Sequence, residues 1–224
     1  MTGSITYLTV IIAALLLSGN PDARAWLILA LVAVWAARLG SFLFKRVMKS
    51  GKDARFDEIK PSFPRFLQAW TLQGLWVSFT LAATLAAITS EEKVGMDAFA
   101  VIELLVWALG FGIEVAADKQ KNQFRADPQN KSKFIRIGLW VWSRHPNYFG
   151  EILLWVGVAI IALPVLYGWQ WVALISPVFV AFLLTRVSGV PILEKRADEK
   201  WGGQAEYEEY KASTSVLMLL PPKR

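Results

Sequence analysis

The residues best equipped for chemistry lie together, in Arg144-His145-Pro146-Asn147-Tyr148-Phe149-Gly150-Glu151, just before the apolar run Ile152 to Leu163. Proline is favoured at the first helical position, where its missing N–H would have had no partner, so a helix is predicted to open at Pro146 with His145 at its cap. Asn147 and Glu151 are four residues apart, which sets an amide and a carboxylate one turn apart on a single face. The free N–H groups of a helix entrance, with Arg144 beside them, form a natural seat for a phosphate. A simpler reading is a juxtamembrane loop in which Arg144 and His145 meet lipid headgroups while Asn147 and Glu151 bond to neighbouring helices. It leaves a carboxylate inside an apolar run without an explanation, and such groups are costly in lipid unless they are used.

The elements that must position these residues are apolar helices. Of 224 residues, 55% are hydrophobic, 19% are charged and 11 are Trp, a composition that belongs to an integral membrane protein. Six apolar segments stand out, near Ile5 to Leu17, Trp26 to Phe44, Phe66 to Ile88, Phe99 to Ala117, Tyr148 to Leu166 and Trp169 to Val187. A helix needs about 20 residues to cross the hydrocarbon core, so the last five suffice and the first is short. Met1 to Thr6 holds no Lys or Arg, so the first segment reads as a helix and not as a signal peptide. The expected fold is all-α, a single polytopic membrane domain over residues 1–224 with about six transmembrane helices and a cytoplasmic, amphipathic tail from residue 188.

Charge sets the expected orientation. Most of the 24 Lys and Arg residues fall in the loop from Lys45 to Arg65, in the loop from Lys119 to Arg144 and in the tail, whereas the opposite loops carry only Arg24 and Lys93. The positive-inside rule then places both termini in the cytoplasm. The net charge of +6 is thus a topology signal and not a nucleic-acid footprint. With no cysteine and one histidine, thiolate chemistry is excluded and a histidine metal cage is not expected.

Several polar residues interrupt the apolar runs: Arg38, Gln73, Glu103, Glu114, Asp118, Glu151 and Arg186. In lipid such groups are expected to face a shared polar interior. Glu114, Asp118, Asn122 and Arg125 recur at spacings of four, four and three, one stripe leaving the fourth segment on the cytoplasmic side. The alternative for this stripe is a solvated helical extension. The tail, with Glu206-Tyr207-Glu208-Glu209-Tyr210-Lys211, is too poor in apolar residues for a further crossing and is expected to cap the pocket or lie on the surface. No glycine-rich nucleotide fingerprint follows a strand-like run, so any nucleotide must be held by the membrane helices themselves.

The Arg144 to Glu151 motif, the later Tyr207-x-x-Tyr210-Lys211 and the closing Pro221, together with Leu72-Gln73-Gly74, Asp118 and Arg125, resemble the steroid 5-alpha-reductase family, in particular its bacterial branch of membrane proteins. The likeness covers roughly Trp35 to Pro221. It implies a bacterial inner-membrane reductase that uses NADPH to saturate an electron-poor carbon–carbon double bond in a sterol-like or other lipid, with a lipophilic substrate and membrane lipids as its partners. Carried over by residue, it implies that Asn147 and Glu151 hold the nicotinamide half of the cofactor. Asp118, Arg125 and Arg186 then lie around the ribose and phosphates, with Arg144, His145 and Tyr148 as neighbours. Trp35 stands where that family has a catalytic Tyr, the first segment lacks its partner carboxylate, and Glu114 replaces an Asn, so the catalytic group is not identified. Two other readings stay open: a methyltransferase that binds S-adenosylmethionine, resembling the isoprenylcysteine carboxyl methyltransferases through Arg-His-Pro-x-Tyr-x-Gly, and a lipid-binding protein without catalysis.

Overall fold

In the computed structural model, residues 2–50 and 61–223 are described. The expected basic loop from Lys45 to Arg65 therefore falls largely outside them. Among the described residues the regular structure is helical: α1 (Thr2–Leu17), α2 (Ala23–Ser50), α3 (Phe63–Thr80), α4 (Ala82–Thr89), α5 (Ala98–Ala126), α6 (Pro146–Ala162), α7 (Ile175–Phe182), α8 (Val190–Trp201) and α9 (Ala205–Ser213). Four stretches are long and apolar enough to cross a bilayer, Ala23–Lys45, Ala98–Ala126, Pro146–Val165 and Gly168–Trp201. The pair α3 and α4 makes a fifth if it is one span bent by 54°. Helix α1, with 16 residues, is the short one expected. The chain is a membrane protein by these helices, and it comprises two compact units, Met1–Val101 with Val158–Ser176 and Ile102–Gly157 with Pro177–Arg224.

In the first unit α1 packs against α2 and α4. Tyr7 meets Trp35 edge to face with ring centroids 5.0 Å apart, and both rings are buried. The bend between α3 and α4 has a local cause. The buried hydroxyl of Ser176 donates to the carbonyl of Thr80 at 2.6 Å, and a side chain inserted into the helical ladder is a recognised origin of kinks. At the other end of the unit, Arg24 is almost wholly buried. Its guanidinium donates to the carbonyls of Ile161 (2.5 Å), Gly95 (2.9 Å) and Val94 (3.3 Å), and pairs with Asp97 at 2.8 Å. A residue read from the sequence as a loop charge is thus a bolt. Five donors in a rigid fork suit an arginine to four acceptors at once.

The second unit is built on glycines. A Cβ at Gly150 would lie 2.6 Å from the backbone nitrogen of Glu114, and one at Gly110 would lie 2.5 Å from that of Leu154. A Cβ at Gly157 would come within 2.8 Å of the nitrogen of Trp107. Helices α5 and α6 therefore touch backbone to backbone along this face, as small residues allow in membranes. The segment expected as one helix from Trp169 to Val187 is a 3₁₀ helix at Gly168–Leu174, then α7, then a π-helical turn at Leu183–Val187. Both the amide and the hydroxyl of Ser188 donate to the carbonyl of Leu183. That pattern opens the helix by one residue just before Gly189 and the start of α8.

Candidate functional site

Helix α6 opens at Pro146, with His145 at its cap, as the spacing predicts. The carbonyl of His145 accepts from the amides of Tyr148 (3.1 Å) and Phe149 (3.2 Å), and its own amide donates to Ser143 Oγ at 3.1 Å. The segment before it is fixed on α5. Trp140 is buried and its indole donates to the carbonyl of Ala117 at 3.1 Å. Gln120 Oε1 accepts from the amide of Leu139. Gly138 has a φ of +56°, a left-handed conformation that only glycine adopts without strain, so the turn needs glycine there.

The glycine contacts bring the two halves of the candidate site together. Because Gly150 abuts the backbone of Glu114, the α5 stripe runs beside the Asn147–Glu151 face. Glu114 is buried, and Asp118 and Glu151 are half-buried. The Tyr148 hydroxyl lies within electrostatic reach of both Glu151 and Asp118. Asn147 is half-buried, and its Oδ1 is buried without a hydrogen-bond partner among the described residues. Arg125, further along α5, and Arg186, on the π-helical turn, are exposed. Neither makes a hydrogen bond or ion pair among the described residues. Five of the eight expected residues, Asp118, Asn147, Tyr148, Glu151 and His145, thus share one region through α6 and its α5 face, and the two exposed arginines sit outside the contacts that define it.

Arg144 and His145 are held by a residue that the motif does not contain. Arg144 Nη1 donates to Glu194 Oε2 at 2.5 Å, and His145 Nε2 lies 2.7 Å from Glu194 Oε1. One carboxylate on α8 therefore binds both. The His145 ring also stacks on Tyr148, with centroids 5.7 Å apart and planes at 13°. Tyr148 in turn packs on Gly189, where a Cβ would come within 2.8 Å of the ring. Glu194 lies about fifty residues beyond the motif in a charged stretch, where one carboxylate among several gives no signal of its own. Its nearest sequence clue is Gly189-Val190-Pro191, a helix start just before it.

The tail is a strap around the same segment. Ser143 and Ser215 form a parallel bridge in which the amide of Arg144 donates to the carbonyl of Ser215 at 2.8 Å. Ser143 Oγ lies 2.8 Å from the carbonyl of Leu217, and the amide of Leu220 donates to the carbonyl of Trp142. The Tyr210 hydroxyl donates to the carbonyl of Trp140 at 2.7 Å, while Tyr207 donates to Asp198 at 3.0 Å and Lys211 pairs with the same oxygen at 2.6 Å. Burial raises the pKa of both tyrosines, and for Tyr207 the Asp198 hydrogen bond adds to it. The Asp198 bond raises that of Lys211. All three groups keep their protons and act as donors.

Steroid 5-alpha-reductase DET2 of Gossypium hirsutum is 33% identical over 98 residues, which is 44% of this chain and 33% of that protein. The chain therefore matches about a third of that relative's length. No solved structure matches. The family described as "Protein of unknown function (DUF1295)" matches residues 1–214. A chain matched over nearly all of its length, with a helical membrane fold and its polar motif at a helix entrance, belongs to the DUF1295 family.

Proposed function

We propose that this protein is a membrane-embedded, NADPH-dependent reductase that saturates an activated carbon–carbon double bond in a lipophilic substrate. The observation that carries the reading is Asn147, whose buried Oδ1 at the entrance of α6 lacks a partner among the described residues. An unpaired buried acceptor costs about 1 to 3 kcal/mol, a cost that a ligand's donor removes. Around it the residues fit a dinucleotide. Asn147 and Glu151 present acceptors one turn apart for a carboxamide or sugar hydroxyl. Asp118 lies on the facing helix for the ribose, while Arg125 and Arg186, exposed and without an ion pair among the described residues, are cations that would reach phosphates. Arg144 and His145, both engaged by Glu194, line the entrance with Tyr148. Bound NADPH would supply the hydride, and the residues of this chain bind it, orient it and keep water away from it. Similarity to a protein named steroid 5-alpha-reductase supports the same class, and the apolar spans offer a lipid-soluble substrate a route from the bilayer. By the distribution of charge we place the 119–144 loop and the tail in the cytoplasm, where the cofactor is.

Thermal unfolding of the purified protein in detergent tests this, with NADPH and S-adenosylmethionine as separate ligands. A rise in melting temperature with NADPH is expected. A rise with S-adenosylmethionine and none with NADPH would overturn the reductase reading in favour of methyl transfer.

A further inference from the structure

His145 is the chain's one histidine and is 5% exposed. Three contacts remove the freedom of its ring and backbone. The ring stacks on Tyr148, the backbone amide is bound by Ser143 Oγ, and Nε2 rests on Glu194 Oε1 at 2.7 Å. The second oxygen of Glu194 is occupied by Arg144 Nη1. An ionised carboxylate accepts and does not donate, so the ring hydrogen belongs on Nε2. That leaves Nδ1, which is buried and has no hydrogen-bond partner among the described residues.

We propose that Glu194 is a positioning residue for ligand binding: it fixes His145 as the Nε2–H tautomer, so that Nδ1 presents a buried acceptor to a hydroxyl or N–H of the bound dinucleotide. This rests on the reading that the site takes NADPH, and it assigns the unfilled ring nitrogen a chemical complement. Sugar hydroxyls and a carboxamide N–H donate, whereas phosphate oxygens at neutral pH do not, so the group that reaches His145 is from the sugar or amide part. The acidic residue acts through another side chain and need not touch the ligand. Arg144 contributes by holding the carboxylate in place, so this half-buried cation beside the helix entrance is not free to bind phosphate with that nitrogen.

Glu194→Gln makes a sharp test, since glutamine keeps one oxygen and replaces the other with an NH₂. Arg144 can only donate, so the amide oxygen stays on Arg144 and the NH₂ faces His145 Nε2. The ring must then accept at Nε2 and carry its hydrogen on Nδ1, which sets a donor against the ligand's donor. With one histidine in the chain, nitrogen-15 labelling gives a spectrum with a single imidazole. In ligand-free wild type at pH 8, in detergent, NMR should show a protonated Nε2 and a bare Nδ1. Saturating NADPH should shift Nδ1 more than Nε2. The glutamine variant should show the opposite tautomer and bind NADPH at least tenfold more weakly.

A wild-type ring bearing its hydrogen on Nδ1, or on both nitrogens, at pH 8 would overturn the assignment, and so would an Nδ1 signal that NADPH leaves unmoved. Equal NADPH affinity in the variant would do the same. The ligand-free wild-type spectrum needs no variant to fold and decides the hold of Glu194 on the ring by itself. Failure of NADPH to bind the wild type would instead remove the cofactor reading, and with it the proposed partner of Nδ1.

Discussion

Asn147 carries an amide oxygen that is buried and has no partner among the described residues, and this makes its removal diagnostic. Asn147→Ala should fold with a melting temperature equal to or slightly above wild type, because an unsatisfied acceptor is lost, and should show no rise with NADPH. Glu151→Ala should likewise lose the NADPH response; a full response from either variant would return this face to a packing role. Arg24 makes the contrast, because its partners are all within the protein. Arg24→Ala empties a buried site and leaves the carbonyls of Ile161, Gly95 and Val94 without their donor, and buried acceptors left unsatisfied are costly, so the melting temperature should fall sharply. Burial would raise the pKa of Asp97, but the Ala100 amide and the Arg24 guanidinium outweigh it and hold the carboxyl below its usual range. Its contribution is therefore complete above the ordinary carboxylate pKa and is lost as pH falls through the lowered folded value. Asp97→Asn should flatten the acid limb of thermal stability measured from pH 6 downward.

Between elements, the face shared by α5 and α6 decides whether the candidate residues meet. A Cβ at Gly150 would lie 2.6 Å from backbone atoms of both Gly110 and Glu114, and backbone cannot step aside as a flexible side chain can. Gly150→Ala and Gly110→Ala should each cost about 1 to 3 kcal/mol as overpacking and weaken NADPH binding by moving Glu114 and Asp118 off α6. Gly112, on the same helix with nothing within 4 Å of its Cβ position, supplies the control: Gly112→Ala should be neutral or stabilising by up to about 1 kcal/mol. Calorimetric unfolding of the three variants tests the face directly. The spacing of Asn147 and Glu151, the opening of α6 at Pro146 and the stripe along α5 were all legible, since each depends on neighbours in sequence. The contact between the two helices was not, because it is made by absent side chains.

For the whole molecule, orientation is the quantity to measure. The chain has no cysteine, so Lys131→Cys and Lys93→Cys each introduce a single thiol at an exposed position. In intact cells an impermeant thiol reagent should label position 93 and spare position 131. Labelling of position 131 from outside would place the candidate site on the wrong face of the membrane for a cytoplasmic cofactor.

Hydropathy, charge and local spacing determined much of this protein on their own. They specified an all-helical membrane fold, the approximate positions of six apolar segments and the helix entrance at Pro146, because transfer into lipid and helix initiation act on contiguous residues. Three features were decided only by tertiary structure. Arg24 reads as a loop charge until four distant acceptors surround it. The bend after Thr80 depends on a hydroxyl from Ser176, and the π-helical turn before Gly189 breaks a run that hydropathy treats as uniform. Glu194 is the clearest case, since its two carboxylate oxygens meet Arg144 and His145 across about fifty residues of chain. A hydrogen bond is set by distance and direction in space, and no local pattern in the sequence records which of several tail carboxylates will be brought to the motif.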